Sequence, residues 1–199
     1  MSFWDERFSG SQYRYGTQPN RFLTEAAPRL PAAARVIAAG DGEGRNGVWL
    51  AQQGHRILAV DSSAVGLEKA RQLAAERGTQ IETLQADLAD YAPEPASVDA
   101  VVLIYVHLPP DIRPIVHRNL IRALKQGGLF VLEAFHRQQL HHDSGGPRDP
   151  ALLYDLATLA EDFGTDLDLV TNWDGQVHLD EGPGHQGIGH VVRVLATRR

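Results

Sequence analysis

The sequence has 199 residues, 43% of them hydrophobic and 22% charged, an ordinary balance for one soluble domain with one core. Acidic residues outnumber basic ones by 25 to 19, for a formal charge of −6. With no Lys/Arg-rich run, such a chain gains little from counterion release on a nucleic acid, so general DNA or RNA binding is excluded. There is no cysteine, which excludes disulfides, thiolate zinc sites and thiol nucleophiles. The longest mostly apolar run, Ala100 to Leu108, falls short of the ~18 residues that span a bilayer. The charged, aromatic opening Met1 to Arg7 has no apolar signal core behind it. The expectation is a cytoplasmic single domain, 1–199, with neither a membrane nor a nucleic acid as partner and with its oligomeric state open.

Strands and helices alternate from Val36 onward. Val36 to Ala39 reads as a short buried strand, followed by glycines and a helix over Asn46–Gln53. Arg56 to Val60 is the next strand, ending at Asp61. Ser63 is placed to cap a helix over Ala64–Arg77, whose apolar residues recur at helical spacing. Ile81 to Gln85 alternates as a strand, and Val98 to Val106 reads as a fully buried one. Asp111 is placed to cap a helix reaching Lys125, with Pro114 tolerated in its first turn. Gly127-Gly128 ends that helix and opens a strand over Leu129–Ala134. This alternation predicts a parallel sheet with helices on both faces.

The tail reads differently. His136 to Pro150 is a polar loop long for a mere connection, and a helix over Ala151–Glu161 follows. Strands over Leu167–Leu179 and His190–Thr197, joined by a Gly-rich link Glu181 to Gly189, predict a closing antiparallel hairpin.

The strongest chemical signal is Gly40-Asp41-Gly42-Glu43-Gly44-Arg45-Asn46-Gly47. It follows the first strand and opens a helix, the context in which backbone approaches a nucleotide closely. Asp61 closes the second strand, where a carboxylate can accept both ribose hydroxyls of an adenosine. Asp87, after the third strand, is placed to accept an adenine amino group beside a neighbouring backbone N–H. Glycines and Asp61 alone also fit a nicotinamide dinucleotide, so an NAD(P)-dependent oxidoreductase is the alternative at this point.

Taken together, Val36 to Gly44, Val60-Asp61-Ser62, Ala86-Asp87-Leu88 and Leu124 to Gly128 resemble the successive motifs of class I S-adenosylmethionine-dependent methyltransferases. Glu43 to Asn46, Trp4 to Phe8 and Tyr15 to Asn20 are similar to the tellurite-resistance branch, near the thiopurine methyltransferases. The resemblance implies a Rossmann-like α/β three-layer sandwich with a seven-stranded, mostly parallel sheet and an antiparallel last strand. It divides the chain into an N-terminal lid segment (1–35), a cofactor-binding core (36–134) and a substrate-side loop, helix and hairpin (135–199). It implies S-adenosylmethionine as cofactor, with Gly40 and Gly42 beside its methionine part, Arg45 and Asn46 near its carboxylate, Asp61 and Ser62 at its ribose and Asp87 with Leu88 at its adenine. Val106 and Tyr15 complete the expected cofactor set. The acidic residue usual in the first strand is replaced here by Ala38, and Asp41 is the expected substitute carboxylate. A protein that binds S-adenosylmethionine or S-adenosylhomocysteine without catalysis is the other alternative.

The implied activity is methyl transfer to a small-molecule acceptor: a thiol, a selenium or tellurium oxyanion, or a small metabolite. His107, just past the fourth strand, and His185, in the closing hairpin, are the expected bases or anion-orienting groups, with His190 and Arg193 as weaker candidates. Ser144 to Asp149 is a candidate substrate wall. Trp4 and Phe8 are expected as core anchors and Tyr15 as part of a lid. His136 with His141-His142 lacks a completing carboxylate or Cys pattern, so no metal is expected.

Overall fold

A computed structural model describes residues 2–199. The elements in chain order are α1 (Phe3–Phe8), α2 (Arg21–Ala26), β1 (Arg35–Ala39), α3 (Arg45–Gln52), β2 (Arg56–Asp61), α4 (Ala64–Glu76), β3 (Glu82–Gln85), β4 (Val98–Ile104), α5 (Arg113–Ala123), β5 (Leu124–Phe135), α6 (Leu156–Phe163), β6 (Leu167–Glu181) and β7 (His185–Arg198). One seven-stranded sheet has the order β3-β2-β1-β4-β5-β7-β6. The pairs from β3 to β5 are parallel, and β7 runs antiparallel to both β5 and β6. This is the expected Rossmann-like three-layer architecture.

The layering follows from the strands' two-residue period. In β1, Ile37 and Ala39 join the core beneath α5 and α6, while Val36 and Ala38 join the core beneath α2 and α3. The same alternation sends Val101 and Leu103 one way and Val102 and Ile104 the other. Apolar residues on both faces leave these strands no stable place except the middle of a sandwich.

Several boundaries differ from expectation. Asp111 does not cap α5: the Pro109 carbonyl accepts from Ile112 and Arg113 N–H, and the helix starts at Arg113 without a side-chain cap. It ends at Ala123 rather than Lys125, and β5 runs on through Gly127-Gly128. The sixth helix begins at Leu156, where the Asp155 carboxylate accepts from Thr158 N–H at 2.7 Å. Residues 151 and 152 instead belong to a 3-10 turn, Pro150–Leu152. The hairpin strands are longer than expected and close through only Gly182 to Gly184, a tight link with Gly182 at φ +64°.

That hairpin positions the site. β5 and β7 stop pairing at Phe135↔Val191, whereas β6 and β7 stay paired out to Glu181↔His185. The tip thus projects past the carboxyl ends of the parallel strands, and Gly184 N–H donates to Arg14 O at 2.8 Å. Gly182 lies against Gly16, too close for a Cβ. The hairpin tip and the N-terminal segment form a roof over the strand ends.

Candidate active site

A cavity of about 590 Å³ opens under this roof. Every cofactor-side residue expected from sequence lines it: Tyr15, Gly40, Asp41, Gly42, Arg45, Asn46, Asp61, Ser62, Asp87, Leu88 and Val106. They come together because β1, β2, β3 and β4 are parallel neighbours, so the residues after each share one edge of the sheet. Gly40 (φ +65°) turns the chain out of β1, and a Cβ there would sit 2.6 Å from Val106 Cγ2. Gly44, at φ +86°, starts α3 where a Cβ would lie 2.5 Å from Ala70. Neither position accommodates a side chain.

Asp61 ties the glycine loop to β2. Its Oδ2 accepts from Gly42 N–H and its Oδ1 from Ser63 N–H, both at 2.8 Å. Burial raises its pKa against those bonds. Each oxygen retains a second lone pair for an outside donor. Asp87 Oδ1 accepts from Ala89 N–H at 2.9 Å, which fixes the carboxylate after β3.

Asp41, the expected substitute carboxylate, stands at the cavity wall. Both its oxygens lie 3.2 Å from Gly47 N, closing the first turn of α3. Burial, with the nearby Asp61 charge adding to it, pushes its pKa up to about 8 despite the Gly47 bond. Burial thus favours the protonated form, whereas a cation placed beside the group favours the carboxylate.

The acceptor side contains residues that the sequence reading missed. Glu133, a lone acid in the buried run Leu129 to Phe135, is 1% exposed. It pairs with Arg193 and accepts from Tyr105 Oη at 2.7 Å and Asn20 Nδ2 at 2.6 Å. Glu181 accepts from the same Asn20 Nδ2 (3.0 Å), from Arg45 Nη2 (3.1 Å) and from His185 Nδ1 (3.1 Å). Burial alone would raise Glu181, but His185 and Arg45 outweigh it and hold its pKa down to about 2. An isolated acid in an apolar strand was the available signal for Glu133; nothing local marks Glu181. Tyr105 has φ +58°, a strained backbone for a non-glycine residue at a cavity wall.

The two expected histidines part company. His107 Nδ1 bonds to the Leu152 carbonyl at 2.7 Å, and Nε2 accepts from Phe135 N–H at 3.3 Å. Burial pushes its pKa down to about 4. Both nitrogens serve backbone, so His107 pins two chain segments. His185 is held at Nδ1 alone, and burial lowers its pKa against the pull of Glu181. The ring sits among Tyr15 (4.5 Å between centroids), Tyr105 (4.5 Å) and Phe135 (5.1 Å), at the cavity wall. A neutral His185 that donates Nδ1–H to Glu181 presents its Nε2 lone pair away from that carboxylate.

Of the remaining candidates, Gly146 and Pro147 line the cavity, whereas Arg148 is exposed and pairs with Asp143. Arg193 supports Glu133, and His190 lies outside the cavity wall. Phe8 is buried as expected, but Trp4 is 39% exposed and stacks on Phe8 at 5.6 Å, so it lines the roof instead of anchoring the core.

A Gly-rich turn after β1, a carboxylate closing β2, another after β3 and a final antiparallel strand define the Rossmann-like methyltransferase class. A model of the methyltransferase domain matches residues 36–128. A thiopurine S-methyltransferase of Bordetella petrii is 34% identical over 74% of this chain and 77% of its own. A tRNA 5-carboxymethoxyuridine methyltransferase of Escherichia coli is 26% identical over 68% of this chain and 60% of its own. The crystal structure of TehB from Haemophilus influenzae shares the fold, with a TM-score of 0.73 at 17% identity over 99% of this chain and 66% of that one. The chain belongs to the class I S-adenosylmethionine-dependent methyltransferases. It spans about half the length of several other curated relatives it matches. No helix among the described residues is long and apolar enough to cross a membrane.

Proposed function

We propose that this chain transfers a methyl group from S-adenosylmethionine to a small molecule that enters with a proton on its acceptor atom, with His185 removing that proton. The carrying observation is the Glu181–His185 pair, one ring nitrogen held by a buried carboxylate and the ring enclosed by aromatics at the cavity wall. The described chain acts in this reading as one domain, its first 35 and last 65 residues closing over the core.

The residues fit the cofactor. Arg45 is buried, lines the cavity, and its Nη1 has no partner, which suits the carboxylate at the methionine end. Asn46 stands beside it, Asp61 and Ser62 face the ribose, and Asp87 and the Leu88 backbone face the adenine. Gly40, Gly42, Val106 and Tyr15 shape the walls. When bound, S-adenosylmethionine supplies an electrophilic methyl on a sulfonium, so the protein's task is alignment, exclusion of water and proton removal.

His185 takes the proton at Nε2 while Glu181 keeps Nδ1–H oriented and stabilises the imidazolium that forms. Aromatic walls favour a flat, largely apolar acceptor bearing a thiol, phenol or similar group. They do not favour an oxyanion: Arg193 is paired with Glu133, and His185 is backed by the Glu181 carboxylate. The acidic chain agrees with a small-molecule partner, while the tRNA-directed relative makes RNA an arm of the test.

Calorimetry with S-adenosylmethionine, S-adenosylhomocysteine, NAD and NADP comes first, followed by methyl transfer to aromatic thiols and phenols, tellurite, and bulk tRNA. Binding of the first two and turnover of the aromatic acceptors are expected. Binding of NAD or NADP alone overturns the methyltransferase reading. Cofactor binding without any turnover supports a non-catalytic binder, and turnover of tellurite or tRNA alone overturns the acceptor class.

A further inference from the structure

Outside the cavity, the sheet gathers a set of donors that the sequence does not juxtapose. His136 follows β5, His190 lies on β7 and Asp174 on β6, and one ligand atom from each lies within 4.8 Å of the other two. The two imidazoles stack with centroids 4.6 Å apart and planes 28° apart. His190 Nε2 stands 3.4 Å from Asp174 Oδ1. None of the three lines the cavity.

We propose that His136, His190 and Asp174 form a binding site for a divalent cation of the zinc class, separate from the methyl-transfer site. Two imidazoles and a carboxylate suit Zn²⁺, Co²⁺ or Ni²⁺, whereas Mg²⁺ and Ca²⁺ require oxygen-rich shells. The 3.4 Å gap between His190 Nε2 and Asp174 Oδ1 matches the edge of a tetrahedron built on bonds of about 2.0–2.1 Å. The backbone fixes the donors, since His136 N–H donates to His190 O at 2.9 Å and Gln176 pairs with His190 two residues along from Asp174. His136 Nδ1 now accepts from Gln138 N–H at 3.1 Å. Coordination through Nε2 moves the ring proton to Nδ1 and gives up that bond, a cost the metal bonds must exceed. Water completes the shell, because Asp174 is exposed.

The position gives the cation a structural task. Gln139 Oε1 accepts from His190 N–H at 2.7 Å, and Gln139 Nε2 donates to Ser144 Oγ and Gly145 O at 2.9 and 3.0 Å. Gly146 then packs on Phe135 at the cavity wall. A cation on His136 and His190 therefore clamps the root of the segment whose far end walls the acceptor site.

Untagged full-length protein, stripped with chelator, is titrated with Zn²⁺ by calorimetry and with Co²⁺ by visible absorption. One Zn²⁺ per chain with a Kd of about 1 µM or tighter is expected, with intense Co²⁺ bands. His190→Gln, His136→Gln and the exposed, fold-neutral Asp174→Asn should each weaken binding at least about 10-fold. The double substitution His141→Gln/His142→Gln should leave it unchanged. Zn²⁺ should also slow amide exchange in residues 137–146. Binding no tighter than about 100 µM, or affinity lost in the double variant and retained in Asp174→Asn, overturns the site.

Discussion

The two halves of the cavity are built by different means. The cofactor half comes from the turns that leave β1, β2 and β3, each a few residues long and each directly after its strand. The acceptor half joins Asn20, Tyr105, Glu133, Glu181, His185 and Arg193, with Asn20 separated by 113 positions from Glu133 and by 161 from Glu181. Local turns of one sheet edge give a reusable nucleotide platform. A long-range network of buried charges gives a wall that depends on the hairpin docking in one register, because a one-residue slip turns Glu181 and His185 to other faces.

The largest effect should follow from breaking the acceptor half at its reactive point. His185→Gln is expected to lower kcat by about 10²–10⁴-fold while S-adenosylhomocysteine affinity, read by calorimetry, stays within error. His107→Gln is the paired control, expected to lower Tm with far less loss of kcat. A larger kcat loss in His107→Gln than in His185→Gln would reverse the two assignments.

Next in size is the buried ion pair beneath that wall. Glu133→Gln leaves Arg193 without its charge partner, at a cost of about 3 kcal/mol, and denaturant unfolding should register it as a lower midpoint with unchanged slope. A stability loss below about 0.5 kcal/mol would place the pair in solvent rather than in a dry network.

The cofactor half is tested by Asp61→Ala. Loss of charge-assisted bonds to a ribose should weaken S-adenosylhomocysteine by about 1–3 kcal/mol, with the acid limb of the kcat profile unmoved. Equal affinity in wild type and variant removes Asp61 from the ribose.

Subtler shifts come from pH. His185 must be neutral to act, so kcat should fall as pH drops through a value below the ordinary 6.5, since burial lowers this histidine. Glu181 opposes that lowering, so Glu181→Gln should move the acid limb to still lower pH as well as reduce kcat. An unmoved limb would assign Glu181 to packing alone. Asp41 makes stability itself depend on pH. Its pKa is raised from 3.8 to about 8, so the folded state holds a proton that the unfolded state releases, and stability falls as pH climbs between those values. Asp41→Asn should flatten that slope and raise Tm at pH 8.5 relative to wild type.

Much of this contrast was legible in the residues. Buried strands, a helix cap at Ser63 and turn glycines are consequences of nearest neighbours, and Gly40, Gly42, Asp61 and Asp87 fall where such elements end. Sequence shows Asp41 as a carboxyl beside a loop, but not the burial that pushes its pKa up or the Gly47 N–H that opposes that shift. His107 and His185 look alike as letters. Only folding reveals that Leu152 and Phe135 occupy both nitrogens of the first, while Glu181 leaves one nitrogen of the second free.

The sequence by itself determined the alternation of elements, the parallel core, the family and the turns that line the cavity, because those depend on periodicity, caps and short-range sterics. The tertiary structure decided which histidine has both nitrogens on backbone and which has one on a carboxylate, which acids are buried, and that His136 meets Asp174 and His190 rather than its neighbours in the chain. Those properties depend on burial and on partners far away in sequence, and in a low-dielectric interior both set a group's charge more strongly than its identity does.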